Sequence, residues 1–94
     1  MQQKQYNTVV VGVAFSPNIQ ANVFEALRMS KMFNASLVMV HVGEKTNKKE
    51  ASLEKIIASF GGKVPDYRVL WKAGNPVEVL LGACSNENAD LLIL

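Results

Sequence analysis

Two patterns of apolar residues alternate along the chain. Four mostly apolar runs without regular polar alternation, rich in valine and leucine, are typical of strands buried on both faces of a parallel sheet. They span residues 8–14, 36–42, 67–71 and 91–94, and the third is less apolar than the others. Between them, apolar residues recur every three to four positions, as in helices that pack on a sheet. The order strand, helix, strand, helix, strand, helix, strand predicts an α/β fold, an open parallel sheet with helices on both faces and the third strand near an edge.

Capping residues place the boundaries of the first two predicted helices. Ser16 is predicted to cap the first helix with Pro17 at its first position, because serine accepts backbone N–H groups and proline fits the first helical turn. Asn34 is predicted to end that helix. Asn47, followed three residues later by Glu50, resembles a capping box and is predicted to start the second helix.

The clearest local signal precedes the third helix. Residues 74–78 read Gly-Asn-Pro-Val-Glu. Asn75 is predicted to cap the helix, with Pro76 at its first position and Glu78 three residues after the cap. The predicted buried faces of the three helices are, in order, Ile19, Val23, Ala26, Leu27 and Ser30; Leu53, Ile56, Ile57 and Phe60; and Val77, Leu80, Leu81 and Cys84.

Size and charge restrict the class of protein. The chain has 94 residues, 49% of them hydrophobic, which is enough for one domain over residues 1–94 with a buried core. Its net charge of +2 is too balanced to indicate binding to nucleic acid or to an anionic membrane. A single cysteine excludes an intrachain disulfide framework, and no apolar run approaches the ~20 residues of a membrane helix. Because the first residues also lack the apolar block of a signal peptide, the predicted location is the cytoplasm.

Residue types that could carry chemistry are sparse. His41 is the only histidine, and at the end of a strand it is predicted to make a local hydrogen bond rather than to bind a metal. Cys84 is predicted to pack as a small hydrophobic residue. Trp71 is predicted to pack at the sheet edge, and Asp90 to lie at the start of the last strand. No catalytic or metal-binding group emerges from these residues, so the chain is predicted not to be an enzyme.

Four segments resemble the universal stress protein (UspA-like) family. Residues 9–16, Val-Val-Val-Gly-Val-Ala-Phe-Ser, resemble its opening strand followed by Asp-x-Ser, and residues 37–42 resemble its second strand with a His-Val ending. Residues 74–78 are similar to the Gly-x-Pro start of its third helix. Residues 89–94, Ala-Asp-Leu-Leu-Ile-Leu, resemble the strand that precedes its phosphate loop. The four segments occur in the family's order from about residue 8 to residue 94.

The resemblance implies a sheet of order 3-2-1-4-5, an adenine-nucleotide alpha-hydrolase-like (Rossmann-like) three-layer fold and, in many members, a homodimer. One branch of the family binds ATP. Carried over by position, its nucleotide contacts fall on Gly12, Val13 and Ala14 after the first strand and on Val42 after the second. Ala14 stands where the ATP-binding branch has aspartate, so help from that side chain to a metal or phosphate is absent.

The resemblance also implies that the chain ends before the family's glycine-rich phosphate loop and lacks the last helix and strand. ATP or AMP is therefore expected to bind weakly or not at all to these residues alone, and no cofactor is required. The fourth strand would then be an exposed apolar edge, which is expected to be covered, for example by a second copy of the chain.

The residues and the resemblance together lead to two functional hypotheses. The first is a stress-response or regulatory binding module without catalysis, which senses ATP or AMP when the domain is complete. The alternative is a dimerisation or protein-interaction domain of the same family that does not bind nucleotide, as Ala14 indicates. An adenylate-forming or hydrolytic enzyme is the weakest hypothesis, because no base or nucleophile is placed for it.

Overall fold

Strands and helices alternate along the part of the chain that the structure, a computed structural model, describes, residues 7–93. The strands are β1 (Thr8–Gly12), β2 (Ser36–Val42), β3 (Tyr67–Lys72) and β4 (Leu91–Ile93), and the helices are α1 (Ile19–Phe33), α2 (Asn47–Ala58) and α3 (Pro76–Asn86). The predicted order of elements is confirmed. The predicted last strand extended to Leu94, which lies outside the described residues. None of the helices in residues 7–93 is long and apolar enough to cross a membrane.

All strand pairs are parallel, and the sheet has the order β3-β2-β1-β4. In the register, Val10 of β1 lies between Val38 of β2 and Leu92 of β4. The predicted α/β class, the order 3-2-1-4 and the position of β3 at an edge are therefore confirmed.

The two faces of the sheet carry separate cores. On one face, β1 and β2 pack against α1 and α2, with Leu27 and Leu53 among the buried helix residues. On the other face, Val10 and Val38 pack against Ala83 of α3. Because both faces are covered, successive residues of β1 and β2 are apolar without alternation. Burial of each valine or leucine of this kind contributes about 1.5–3 kcal/mol.

Helix α1 begins later than the sequence predicts. Asn18, not Ser16, occupies the N-cap position, and Ile19 is the first helical residue. The Ser16 hydroxyl instead accepts a hydrogen bond from Asn18 N at 3.3 Å, and Ile19 N donates to Ser16 O at 3.1 Å. Ser16 and Pro17 therefore form a turn before the helix, because serine can bond to a backbone N–H two residues on as readily as it caps a helix.

The other ends of α1 and α2 lie close to their predicted positions. α1 ends at Phe33, and Asn34 adopts the left-handed conformation with φ of 55°, as expected of a helix stop. The cap of α2 is Thr46, whose hydroxyl accepts from Lys49 N at 3.1 Å, so the predicted cap Asn47 is the first helical residue. Threonine at this position has the same capping chemistry as asparagine.

The start of α3 is confirmed, and its predicted buried face is correct for Leu80 and Cys84 but wrong for Val77 and Leu81. Asn75 Oδ1 accepts from Glu78 N at 3.1 Å with Pro76 in the first turn. Val77 and Leu81, predicted to be buried, are 65% and 58% exposed. Ala83 is buried against the sheet, and Val79, Leu80 and Cys84 pack beside it partly buried. Because α3 is apolar around most of its circumference, its sequence period does not define which face meets the sheet.

Asp90 joins the starts of β1 and β4. Its carboxylate Oδ2 accepts hydrogen bonds from Asn7 N at 2.7 Å and Thr8 N at 3.1 Å, and its own N–H donates to Thr8 O at 2.9 Å. The prediction that Asp90 lies at the start of the last strand is confirmed. The side chain satisfies two backbone donors that precede the central strand.

We predict that Asp90→Ala lowers the free energy of unfolding by about 1–2 kcal/mol, because two backbone N–H groups lose a charged acceptor. Urea denaturation followed by circular dichroism measures the change. Asp66→Ala is the matched control: Asp66 also directly precedes a strand, but its side chain makes no hydrogen bond within residues 7–93. Equal losses in the two variants would contradict a specific role for the Asp90 carboxylate.

Candidate functional site

A cavity of about 300 Å³ lies beyond the carboxyl ends of β1 and β2. The chain moves from β1 to β2 in one direction across the sheet, and β4 is added on the opposite side of β1. Ligands of open α/β sheets bind at such a reversal of strand order. The cavity is lined by Gly12, Val13, Ala14, Phe15, Val40, His41, Val42, Pro76 and Leu80.

The structure brings together all four residues to which the family resemblance assigned nucleotide contacts. Gly12, Val13 and Ala14 come from the end of β1 and the following loop, and Val42 comes from the end of β2. The sequence did not assign to this site the other five lining residues, Phe15, Val40, His41, Pro76 and Leu80. The Gly-Asn-Pro signal at the start of α3 could have indicated Pro76, because it places that helix start at the same edge of the sheet.

Leu80 closes the cavity against β1. A Cβ atom at Gly12 would lie 3.2 Å from Leu80 Cδ1, a tight contact. A side chain at position 12 would therefore require the end of the Leu80 side chain to move by a few tenths of an ångström. Glycine at this position allows the helix and the strand to approach closely.

The lining of the cavity is mostly apolar and carries no carboxylate, lysine or arginine. Ala14 contributes only a methyl group. Among residues 7–93 there is also no group of three or more His, Cys, Asp or Glu side chains that could hold a metal ion. A cavity of this kind suits a planar apolar ring with few polar contacts, and it offers no charged side chain to a phosphate or metal.

His41 holds the loop between β1 and α1 in place. Its Nδ1 lies 2.8 Å from Val13 O, and since a carbonyl oxygen only accepts, Nδ1 carries the hydrogen and donates. In that tautomer Nε2 accepts from Lys49 Nζ at 3.3 Å, while Lys49 Nζ also donates to Glu44 O at 3.1 Å. Val13 N donates in turn to Val40 O at 2.8 Å. The predicted local hydrogen bond of His41 is confirmed, and it fixes one wall of the cavity.

Aromatic side chains surround the His41 ring. Phe15 and Trp71 contact it edge to face, with centroids 4.8 Å and 5.5 Å away, and Phe15 stacks on Trp71 at 6.1 Å. Lys49 Nζ lies 5.7 Å from the centre of the Phe15 ring. A Cβ atom at Gly43 would come within 2.6 Å of His41 Nε2, so only glycine leaves room for this ring. Trp71 packs at the sheet edge, as predicted.

Cys84 is not part of the cavity. It lies on α3, partly buried, and is a free thiol. Burial raises the pKa of the Cys84 thiol above its ordinary value. Since the thiolate is the reactive form, a raised pKa lowers its population at neutral pH, which fits a packing role.

We predict that His41→Phe destabilises the protein by about 1–3 kcal/mol, because the ring packing is retained while the buried Val13 carbonyl loses its donor. His41→Asn, whose side-chain amide can donate from the position of Nδ1, is expected to recover part of this loss. Urea denaturation gives the stabilities, and the amide chemical shift of Ala14 reports on the loop. If both variants lose the same stability and shift Ala14 equally, the hydrogen bond does not hold the loop.

Comparison with known proteins gives matches among solved structures. Protein Rv1636 from Mycobacterium tuberculosis H37Rv is 24% identical with a TM-score of 0.74, covering 97% of this chain and 72% of that one. A universal stress protein in complex with cAMP is 26% identical with a TM-score of 0.76, covering 95% of this chain and 71% of that one. A universal stress protein from Archaeoglobus fulgidus DSM 4304 is 22% identical with a TM-score of 0.70, covering 92% of this chain and 31% of that one.

No protein-family model and no curated protein matches the chain. The TM-scores of 0.70 to 0.76 show that the chain shares the fold of these structures over nearly its whole length. Together with the four sequence segments, these neighbours support the predicted assignment to the universal stress protein (UspA-like) family.

Proposed function

We propose that this universal-stress-protein-like domain is a regulatory, stress-response module that binds an adenine nucleotide in the cavity at the carboxyl ends of β1 and β2. The observation that carries the proposal is the convergence of Gly12, Val13, Ala14 and Val42, the four positions assigned by resemblance, on one apolar cavity. Its position at the reversal of strand order supports the same site. A neighbour of 26% identity was solved with cAMP, which supports an adenine nucleotide as the ligand class.

The proposed ligand binds without a divalent metal ion. The cavity offers apolar side chains and backbone groups to the adenine ring, while its lining holds no carboxylate for Mg²⁺ and no cation for a triphosphate. The single negative charge of a cyclic nucleotide costs less to desolvate without a neighbouring cation than the several charges of the ATP triphosphate. We therefore expect cAMP to bind more tightly than Mg-ATP, and AMP to lie between them.

The proposed module is not an enzyme, and we propose the cytoplasm as its location. In the cavity no side chain is placed as nucleophile or general base, since both ring nitrogens of His41 are engaged by Val13 and Lys49. Ligand binding would therefore act through the loop between β1 and α1 and not through chemistry on the nucleotide.

The decisive measurement is a pair of calorimetric titrations. The first uses cAMP in a buffer with EDTA, and the second uses Mg-ATP in a buffer without EDTA. Ala14→Asp is expected to weaken cAMP binding at least about tenfold, because it places a carboxylate beside the ligand's phosphate charge, and to weaken uncharged adenosine much less. Ala73→Asp is the matched control, since it adds the same charge in the exposed loop after β3, outside the cavity lining. The proposed site is wrong if no heat of cAMP binding is measured for the wild-type protein, or if the two variants weaken cAMP binding equally.

A specific observation also favours the second hypothesis, an interaction module that forms homo-oligomers. Val77 and Leu81 are four residues apart on α3, and both are largely exposed, 65% and 58%. Residues spaced in this way share one helix face, so they form an exposed apolar surface on α3. A second copy of the chain is the proposed partner for this surface.

We predict that sedimentation velocity shows concentration-dependent association of the wild-type protein. The double variant Val77→Asp with Leu81→Asp should remain monomeric, because the two carboxylates would be desolvated in the interface. Met32→Asp is the matched control, since Met32 is 70% exposed but lies on α1 on the other face of the sheet. If the double variant still associates, the interface lies elsewhere. If the wild-type protein is a monomer at all concentrations, the hypothesis is wrong.

A further inference from the structure

One histidine contact fixes a wall of the first cavity, the one at the carboxyl ends of β1 and β2. Val13 is tied to β2 by both of its backbone groups. Its N–H donates to Val40 O at 2.8 Å, and its carbonyl oxygen lies 2.8 Å from His41 Nδ1. Ala14, the next residue, is exposed and lines the cavity. The position of this wall therefore depends on which nitrogen of the His41 ring carries the hydrogen.

Lys49 reaches the other nitrogen of the same ring. It lies in the first turn of α2, half-buried, and its Nζ is 3.3 Å from His41 Nε2 and 3.1 Å from Glu44 O. An ammonium group only donates, and a carbonyl oxygen only accepts. Lys49 therefore requires the lone pair at Nε2, while Val13 requires the hydrogen at Nδ1. The two partners of the ring impose the same neutral tautomer.

The remaining neighbours of His41 carry no titratable group that faces the ring. Phe15 and Trp71 contact it edge to face, with centroids 4.8 Å and 5.5 Å away. Lys72, which follows Trp71 in β3, lines a groove beside α3 on the opposite face of the sheet. A Cβ atom at Gly43 would lie 2.6 Å from His41 Nε2, so the glycine keeps the approach to this nitrogen open for a side chain from α2.

The charge of Lys49 is not offset by a carboxylate in the described part of the chain. Glu50, in the same helical turn, pairs with Lys45 at 3.3 Å, and Lys49 forms no ion pair within residues 7–93. Glu44 contributes only its main-chain oxygen. A hydrogen on His41 Nε2 would therefore face the Lys49 ammonium at 3.3 Å as donor against donor, with no acceptor between them.

We propose that Lys49 is a positioning residue of the first cavity, whose ammonium selects the His41 tautomer that ties Val13 to β2. The hydrogen bond at one ring nitrogen determines where the other hydrogen resides. In the opposite tautomer, Nδ1 and Val13 O would both be acceptors at 2.8 Å, and the loop would lose its tie. Lys49 itself does not line the cavity. For the loop the inference stands alone, and for ligand binding it rests on the nucleotide site proposed above.

The first test is the ring tautomer, measured by 15N NMR on a protein without added histidines. His41 is the only histidine of the chain, so the ring signals belong to it alone. The spectra are recorded at about pH 8, where imidazole groups are ordinarily neutral. In the wild type we expect a pyrrole-type shift for Nδ1 and a pyridine-type shift for Nε2. In Lys49→Met, which keeps the apolar stem and removes the donor, both shifts should move towards intermediate values, together with the Ala14 amide.

Two lysine variants control for charge and for the donor. Lys49→Arg keeps both, and it is expected to retain the wild-type ring pattern. Lys48→Met removes the same charge from an exposed neighbouring position in α2 and should leave the ring unchanged.

A second cavity provides a reference for changes elsewhere in the fold. Its volume is about 440 Å³, and it lies at the other end of the sheet, where α1 ends and β2 and β3 begin. It shares no lining residue with the first cavity. The amides of Asn34 and Lys63, which line it, should be unchanged in every variant.

The second test is calorimetric titration with cAMP and with uncharged adenosine. Lys49→Met should weaken both about fivefold, as expected if the loop adopts the binding geometry in about a fifth of the molecules. The two losses should be equal, because the variant changes the loop and not the charge that the ligand meets. A loss confined to cAMP would mean that the ammonium contacts the phosphate directly, and it would overturn the positioning role.

The remaining outcomes also decide the proposal. A wild-type ring with its hydrogen on Nε2, or an unchanged ring spectrum in Lys49→Met, would overturn it. Equal changes in Lys48→Met, or an altered ring with unchanged affinity for both ligands, would do the same. If the wild type binds neither ligand, the nucleotide site is wrong, while the ring and the Ala14 amide still decide whether Lys49 positions the loop. Amide spectra establish that each variant is folded, and Lys49→Leu replaces Lys49→Met if it is not.

Discussion

The burial of β1 on both faces is the constraint from which the rest of the structure follows. Val9, Val10 and Val11 are almost fully removed from water, with α1 and α2 on one side and α3 on the other. The neighbours of β1 are parallel, and parallel strands are joined by crossovers that return the chain to the same end of the sheet. Here the crossovers are helices, and they cover both faces of β1. The connecting loops that follow β1 and β2 therefore meet at one edge, where the first cavity lies.

Side-chain contacts hold the loop beside the first cavity in place, and the residues that line the cavity carry no charged side chain. His41 donates to Val13 O from the face of the sheet that carries α1 and α2, and its ring is held by Phe15 and Trp71. The loop is thus fixed by side chains outside the space that a ligand would occupy. Ala14 and its neighbours offer no charged side chain, so the cavity presents only apolar side chains and backbone groups at its surface.

The two ends of the sheet differ in chemistry for a simple reason. At the carboxyl ends of β1 and β2, the strand residues that reach the edge are valines and a glycine, so the cavity between strand and α3 is apolar. At the amino ends, the chain enters β2 and β3 from polar turns that carry Asn34 and Asp66, and α1 contributes Lys31. The cavities at the two ends of one sheet therefore differ in polarity.

The sequence by itself determined the elements and their order, and it indicated four of the residues that line the first cavity. Buried strands, the asparagine caps at Asn34 and Asn75 and the family segments depend on local patterns, which can be read along the chain. The tertiary structure decided which face of α3 is buried, because a helix that is apolar nearly all round is oriented only by the sheet on which it packs. It also decided the start of α1 and the approach of Lys31 to the loop at Gly62, because contacts between residues far apart in sequence leave no periodic signal in the chain.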